Sequence, residues 1–260
     1  MPLIDNSLLF AKKAAYEAGI VVMKYFQSSS YEIEDKSFDN PVTTADHEAN
    51  QVIKDILLKN DSSYGWLSEE TVDSKERLSS DYVWVVDPID GTKEFIEGVP
   101  HFSISIALVH KGEPIIGVIY NPAKDELFSA CKGGGSFLNE KPTICLKNNI
   151  DLTVVVSRSE VKRGMWDDYT DKFKKIKPIG SVAYKLGLIA AAKADVFVTL
   201  YPKNEWDICA GHCIVNQSGG ILVDLLGNPI KYNQETTLIN PGLISGSKNN
   251  VDSVLKIINT

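Results

Sequence analysis

Apolar residues at Leu8, Ala11, Ala15, Ala18 and Val22 recur at helical spacing with charged residues between them. Asp5, Asn6 and Ser7 stand ahead of this stripe as capping candidates, so the pattern predicts an amphipathic helix near the start of the chain. Ala45, Ala49, Val52, Ile53 and Ile56 share one face of a second predicted helix, from Thr44 to about Lys59. The polar stretch SSSYEIEDKSFDNP between them reads as a loop or short hairpin. From Tyr64 the period changes to short β-rich runs, YGWLS, YVWVVD, FSISIALVH, EPIIGVIYN and DELFSAC, several divided by Gly or Pro. Lys111-Gly112 between two of these runs predicts a hairpin and a mainly antiparallel sheet. After residue 150 strands and helices alternate: TVVVS, a helix over Val161 to Phe173, IKPIG, a helix from Ser181 to Lys193, DVFVTL, a helix from Trp206 to Gln217, GILVD, and a last helix over Asn250 to Asn259. The fold class is therefore α/β, with an α+β half followed by an α/β half.

No internal repeat or low-complexity segment interrupts this order. The KNNID stretch near residue 147 is the best boundary, giving an N-terminal half of 1–147 and a C-terminal half of 148–260 that meet at a tight interface. At 260 residues, with 43% hydrophobic and 23% charged residues, the chain can bury a core without staples. A net charge of −7 and a pI near 5.2 oppose binding to a nucleic acid polymer or an anionic membrane. A small phosphorylated molecule remains a fitting partner, because a bound divalent cation inverts the field of an acidic pocket. Cys131, Cys145, Cys209 and Cys213 lack paired spacing and read as reduced thiols. No apolar run reaches membrane-spanning length, so stable membrane insertion is not expected and a cytoplasmic location is. The sequence leaves a homodimer open.

The chemistry concentrates in four segments. In WVVDPIDGTKEF an apolar strand runs to Asp87, Pro88 removes a ladder donor, and Asp90 precedes Gly91-Thr92, where a short helix opens. Two carboxylates and the Ile89 carbonyl between them offer the oxygen ligands that hard cations prefer. Backbone N–H groups at Gly91 and Thr92 suit a phosphate. The plain alternative is a polar turn. LSEET supplies Glu69 and Glu70, a pair equally at home on a solvated loop. EWDICAGHCIV puts Asp207 at the start of an apolar helix, where capping is the ordinary explanation. DNPVTTAD puts Asp46 in the first turn of the second helix, where the helix dipole alone accounts for it.

Taken in order, NPVTTAD, SEE, DPIDGT and WDICAG resemble the inositol monophosphatase superfamily of lithium-sensitive magnesium phosphatases over nearly the whole chain. Within it, DGTKEF, the Ser157-Arg158-Ser159 run and GSVAYK at 180–185 are similar to the CysQ-type 3′(2′),5′-bisphosphate nucleotidases. The resemblance implies a layered αβαβα sandwich and a phosphomonoesterase acting on adenosine 3′,5′-bisphosphate and on its sulfated relative. Two departures stand against a full match. Leu200–Asp207 is shorter than the corresponding loop of some bacterial CysQ-type proteins, and Leu200 falls where inositol monophosphatases hold the ring with an acidic residue. An inositol or fructose-1,6-bisphosphate phosphatase is the alternative of like chemistry; a non-catalytic metal-dependent binding or scaffold protein is the alternative of another class.

By the same resemblance Glu69, Asp87 and the Ile89 carbonyl hold one magnesium ion, and Asp87, Asp90 and Asp207 hold a second, within a set of two or three ions. Thr92, paired with Asp46, orients the nucleophilic water, and lithium inhibits. Glu69 and Asp90 count with Thr92 and Asp46 as catalytic. Gly91, Thr92, Asp207, Ser157, Arg158, Gly180, Ser181 and Lys185 form the substrate side. Cys209, His212 and Cys213 lie on one helix and read as core rather than a soft-metal site.

Overall fold

The computed structural model describes residues 2–28, 30–37, 40–59, 62–145 and 151–259. Helix α1 (Pro2–Ser28) is followed by a hairpin of β1 (Ile33–Ser37) and β2 (Asn40–Thr43), and then by α2 (Thr44–Leu58). The stripe of α1 begins later than the helix: α1 runs through Asp5, Asn6 and Ser7 rather than starting at them.

The first large element is a seven-stranded sheet of β3 (Gly65–Ser68), β4 (Tyr82–Asp90), β5 (Ser103–His110), β6 (Glu113–Asn121), β7 (Glu126–Cys131), β8 (Gly135–Leu138) and β9 (Lys141–Pro142), paired in chain order. Only β3 and β4 run parallel. The β5–β6 turn is tight because Lys111 and Gly112 both take positive φ, 52° and 80°, the conformation a two-residue hairpin loop needs. A one-turn helix, α3 (Thr92–Ile96), leaves the end of β4.

The rest of the chain forms β10 (Thr153–Ser157), α4 (Arg158–Lys162), β11 (Lys175–Ile179), α5 (Val182–Ala190), β12 (Val196–Thr199), β13 (Lys203–Asn204), α6 (Glu205–Gln217), β14 (Ile221–Asp224), β15 (Leu238–Ile239), β16 (Leu243–Gly246) and α7 (Lys248–Ile258). Five of these strands make a second sheet in the order β11-β10-β12-β16-β14, parallel on one side and antiparallel on the other. The helix expected over Val161 to Phe173 is much shorter. Gly164 takes φ +74° just after α4, and only a 3₁₀ turn at Asp167–Tyr169 follows. The boundary expected near residue 147 falls on residues 146–150, outside those described.

Three apolar clusters define the layers. Ala11, Ala15, Ala18, Ala49 and Ile53 of α1 and α2 pack on Val86, Ile104 and Ile106 of the large sheet. On its other face Val85, Ala107 and Phe128 meet Leu186, Ile189, Ile208 and Cys213 of α5 and α6, which also cover Val155 and Phe197 of the small sheet. The far side of the small sheet, Val154, Val196 and Ile244, is closed by Val251 and Val254 of α7. The layering is thus αβαβα. Gly117 of β6 permits the central contact: a Cβ there would lie 2.3 Å from the Ala210 carbonyl of α6.

Candidate active site

Asp87 and Asp90 share a strand yet reach one pocket because the β4–β5 ladder slips between them. Asp87 pairs with Ser105 and Asp90 with Ser103, three residues of β4 against two of β5. The strand therefore does not end at Asp87; Pro88 sits in a bulge, which re-aims the following side chains. Gly91 next takes φ +100°, and its α-carbon lies so close to His101 that an added Cβ would stand 2.9 Å from that carbonyl. This turn brings Thr92 to the same pocket.

Helices α2 and α6 each deliver an aspartate at their third position. Thr43 N and Thr43 Oγ1 both donate to Asp46 Oδ2 at 2.7 Å, a reciprocal cap of α2. Asn204 N donates to Asp207 Oδ2 at 2.9 Å at the start of α6. Asp207 is therefore not the N-cap residue, which is Asn204. In both helices one carboxylate oxygen completes the helix end and the other is left for the site. Thr92 Oγ1 lies 3.1 Å from Asp46 Oδ1 and 3.1 Å from the Ile89 carbonyl. Its one proton can serve only one of them. Donated to Asp46, it leaves the Ile89 oxygen open and the threonine lone pairs available.

A cavity of about 250 Å³ is lined by Glu69, Asp87, Ile89, Asp90, Gly91, Thr92, Lys93, Glu94, Lys203 and Asp207, among others. Carboxylate oxygens of Glu69, Asp87 and Asp207 lie within 4.8 Å of one another. Asp90 lines the same cavity but stands outside that trio; its Oδ2 accepts from Ser181 Oγ and from Ala183 N, each at 2.6 Å. Burial pushes the Asp87 carboxyl well above the usual range, and the charges of Glu69, Asp90 and Asp207 push it further. Burial raises Asp207 to about 8, with Asp90 and Glu69 adding to the shift. Asp90 rises to about 6 because burial outweighs the Ser181 bond and the Lys185 charge. Asp46 also rises to about 6 through burial, against its threonine bonds. Buried carboxylates crowded this closely are unfavourable as ions unless a cation joins them. The donor set is all oxygen, which fits magnesium.

The substrate-side residues divide. Ser157 caps α4 through Glu160 N. Arg158 forks between Glu94 at 3.0 Å and Glu97 at 2.8 Å, and with Lys162 and Arg163 lines a second cavity of about 470 Å³. The two cavities share Lys93 and Glu94. Gly180 packs on Glu94, where a Cβ would stand 2.3 Å from Cγ. Lys185 belongs elsewhere: it is fully buried, and its Nζ donates to the Ile179 and Ser181 carbonyls at 2.8 and 2.9 Å. A substrate phosphate cannot reach it. Ser181 is likewise occupied, bonded to Asp90 and 2.9 Å from Ser103 Oγ. Both residues back Asp90 rather than face the substrate. Sequence reasoning missed Thr43 and Lys203. The Thr-x-x-Asp spacing could have revealed the first, whereas Lys203 carries no local signal. Cys209 and Cys213 are buried, and His212 Nδ1 pairs with Tyr232 Oη at 2.9 Å, as core positions do.

The inositol monophosphatase family profile matches residues 4–259. A fructose-1,6-bisphosphatase/inositol-1-monophosphatase of Thermotoga maritima is 32% identical over 98% of this chain and 96% of its own. The Nus factor SuhB of Pasteurella multocida is 33% identical over 86% and 87%. Among solved structures, the Thermotoga maritima IMPase superposes with a TM-score of 0.83 at 29% identity, covering 100% of this chain and 97% of that one. CysQ from Bacteroides thetaiotaomicron superposes at 0.77 with 31% identity, covering 94% and 97%.

Proposed function

The chain belongs to the inositol monophosphatase family of metal-dependent phosphatases, and we propose that within it the protein is a 3′(2′),5′-bisphosphate nucleotidase that removes the 3′-phosphate of adenosine 3′,5′-bisphosphate. One observation carries this reading. The carboxylate cavity adjoins, across Lys93 and Glu94, a second cavity in which Arg158 is paired with Glu94 and Glu97 and to which Lys162 and Arg163 add further positive charge. Such a groove suits a substrate with two anionic groups, one reacting over the acidic cluster and one held by guanidinium and ammonium groups.

In this reading Glu69, Asp87 and the Ile89 carbonyl would hold one magnesium ion, and Asp87, Asp90 and Asp207 would hold a second. When bound, magnesium acidifies a water and offsets charge on the leaving oxygen. Asp46 accepts the Thr92 hydroxyl hydrogen bond, so that a lone pair of Thr92 Oγ1 accepts from the attacking water and fixes its direction. Gly91 and Thr92 bring backbone N–H groups to the phosphoryl side, a local contribution since α3 is one turn long. Asp90 keeps its orientation through Ser181 and Ala183.

A second reading, hydrolysis of fructose 1,6-bisphosphate or inositol 1-phosphate, is favoured by the name of the Thermotoga maritima relative. Leu200, at the place of an acidic ring-holding residue, disfavours inositol. Initial rates with magnesium on the three substrates decide between the readings. The nucleotide should have the highest kcat/KM, and Arg163→Ala should raise its KM without raising that for inositol 1-phosphate. Faster turnover of either rival substrate sinks the nucleotide assignment.

A further inference from the structure

Glu69 follows β3 and Asp207 opens α6, so the gap between their carboxylates depends on how two separate segments are held. Glu69 N bonds to Val86 O of β4 at 3.2 Å. A buried polar chain outside the cavity ties its loop to α6. Glu205, the first residue of α6, is fully buried and does not line the cavity. Its Oε2 accepts from Asn233 N at 2.7 Å and its Oε1 from Gln234 N at 2.8 Å, while its own N–H donates to Thr237 O at 2.9 Å. Arg77, 2% exposed, donates to Asn233 Oδ1 at 2.7 Å and to Gln234 O at 2.9 Å, and its carbonyl accepts from Asn233 Nδ2 at 3.2 Å. The same guanidinium forks onto Asp73, at 3.1 and 2.8 Å, four residues beyond Glu69.

We propose that Glu205 is a positioning residue: through Asn233, Gln234 and Arg77 it ties the Glu69 loop to the start of α6 and so sets the spacing of the carboxylates that hold the metal. This rests on the reading of the Glu69, Asp87 and Asp207 pocket as a metal site. Apolar packing would hold a fold together as well as this network does, since a buried ion pair is weak evidence of stability. What forked, charge-assisted bonds add is fixed direction and distance, which a multi-ligand site needs to within about half an ångström.

Binding of Mn²⁺ to the full chain, followed by electron paramagnetic resonance without substrate, tests the proposal. Glu205→Gln keeps the volume but loses the charge and one acceptor. It should weaken Mn²⁺ binding up to about tenfold, the lower end for loss of a group bonded directly to a ligand, because Glu205 acts one step further out. Asn233→Gly suits the φ of +56° at that position and removes both side-chain bonds of Asn233 to Arg77, leaving the Gln234 carbonyl bonded to Arg77; it should weaken binding by a smaller factor, about threefold. Val254→Ala in α7 destabilises the chain far from the pocket and should leave Mn²⁺ affinity at the wild-type value, which separates positioning from general loosening. Should Glu205→Gln fail to fold, Asn233→Gly decides. Wild-type Mn²⁺ affinity in the folded variants overturns the positioning role while leaving the metal site in place. If Asp87→Asn binds Mn²⁺ as tightly as wild type, the metal reading fails and the proposal with it.

Discussion

Ser181 offers the sharpest test of how the pocket is supported. It sits at φ +59° and ψ 120°, where a side chain is strained, and its hydroxyl has three partners. Oγ donates to Asp90 Oδ2 at 2.6 Å, accepts from Tyr184 N at 3.0 Å as the cap of α5, and touches Ser103 Oγ at 2.9 Å. Ser181→Ala removes a bond to a carboxylate, worth about 1.5–3 kcal/mol, and a helix cap worth about 1 kcal/mol. Relaxation recovers part of this, so unfolding in urea should show a loss of about 2–4 kcal/mol. With only Ala183 N left on Asp90, kcat should fall about 10–100-fold, the scale of a misplaced catalytic group. Ser181→Gly loses the same hydroxyl but escapes the backbone strain, and should be about 1 kcal/mol more stable than Ser181→Ala. A Ser181→Ala variant with the wild-type urea midpoint and kcat/KM would refute the support role. A glycine variant less stable than the alanine one would refute the strain argument.

Asp87→Asn removes a buried charge crowded by Glu69, Asp90 and Asp207. The chelated variant should melt above the chelated wild type by an amount equivalent to about 1–3 kcal/mol, while magnesium-dependent turnover disappears; differential scanning calorimetry and a phosphate-release assay read the two effects. The pH dependence of the metal-free protein follows from Asp207, raised from 3.8 to about 8, and Asp90, raised to about 6. Between these values the native state binds more protons than the unfolded one, so stability is highest at the acidic end of the window and falls as pH rises through it. Melting temperature should therefore decline from about pH 5 to pH 8 in chelator and hold up in saturating magnesium; a rising curve in chelator contradicts the sign. Gly117→Ala drives a Cβ to 2.3 Å from the Ala210 carbonyl, and should cost about 3 kcal/mol or more in a urea titration.

Much of this molecule is written locally. Helix α2 is legible from its apolar stripe, the β5–β6 hairpin from Lys111-Gly112, and the alternation after residue 150 from turn residues between short apolar runs, because each depends on neighbours a few positions apart. The carboxylates could be named from sequence order as well. Their spacing could not. A bulge at Pro88 decides that Asp87 and Asp90 share a cavity, the capping geometry of α2 and α6 decides which oxygen of Asp46 and of Asp207 stays available, and the packing of α5 decides that Ser181 and Lys185 stand behind Asp90. Lys185 shows the limit plainly: an exposed lysine and a fully buried one look the same in sequence, and only the layers closing over it assign its protons to two carbonyls. Composition and periodicity determine which elements form. The meeting of Glu69, just after β3, with Asp207 from α6 is a long-range contact, fixed only once both sheets have packed on the helices between them.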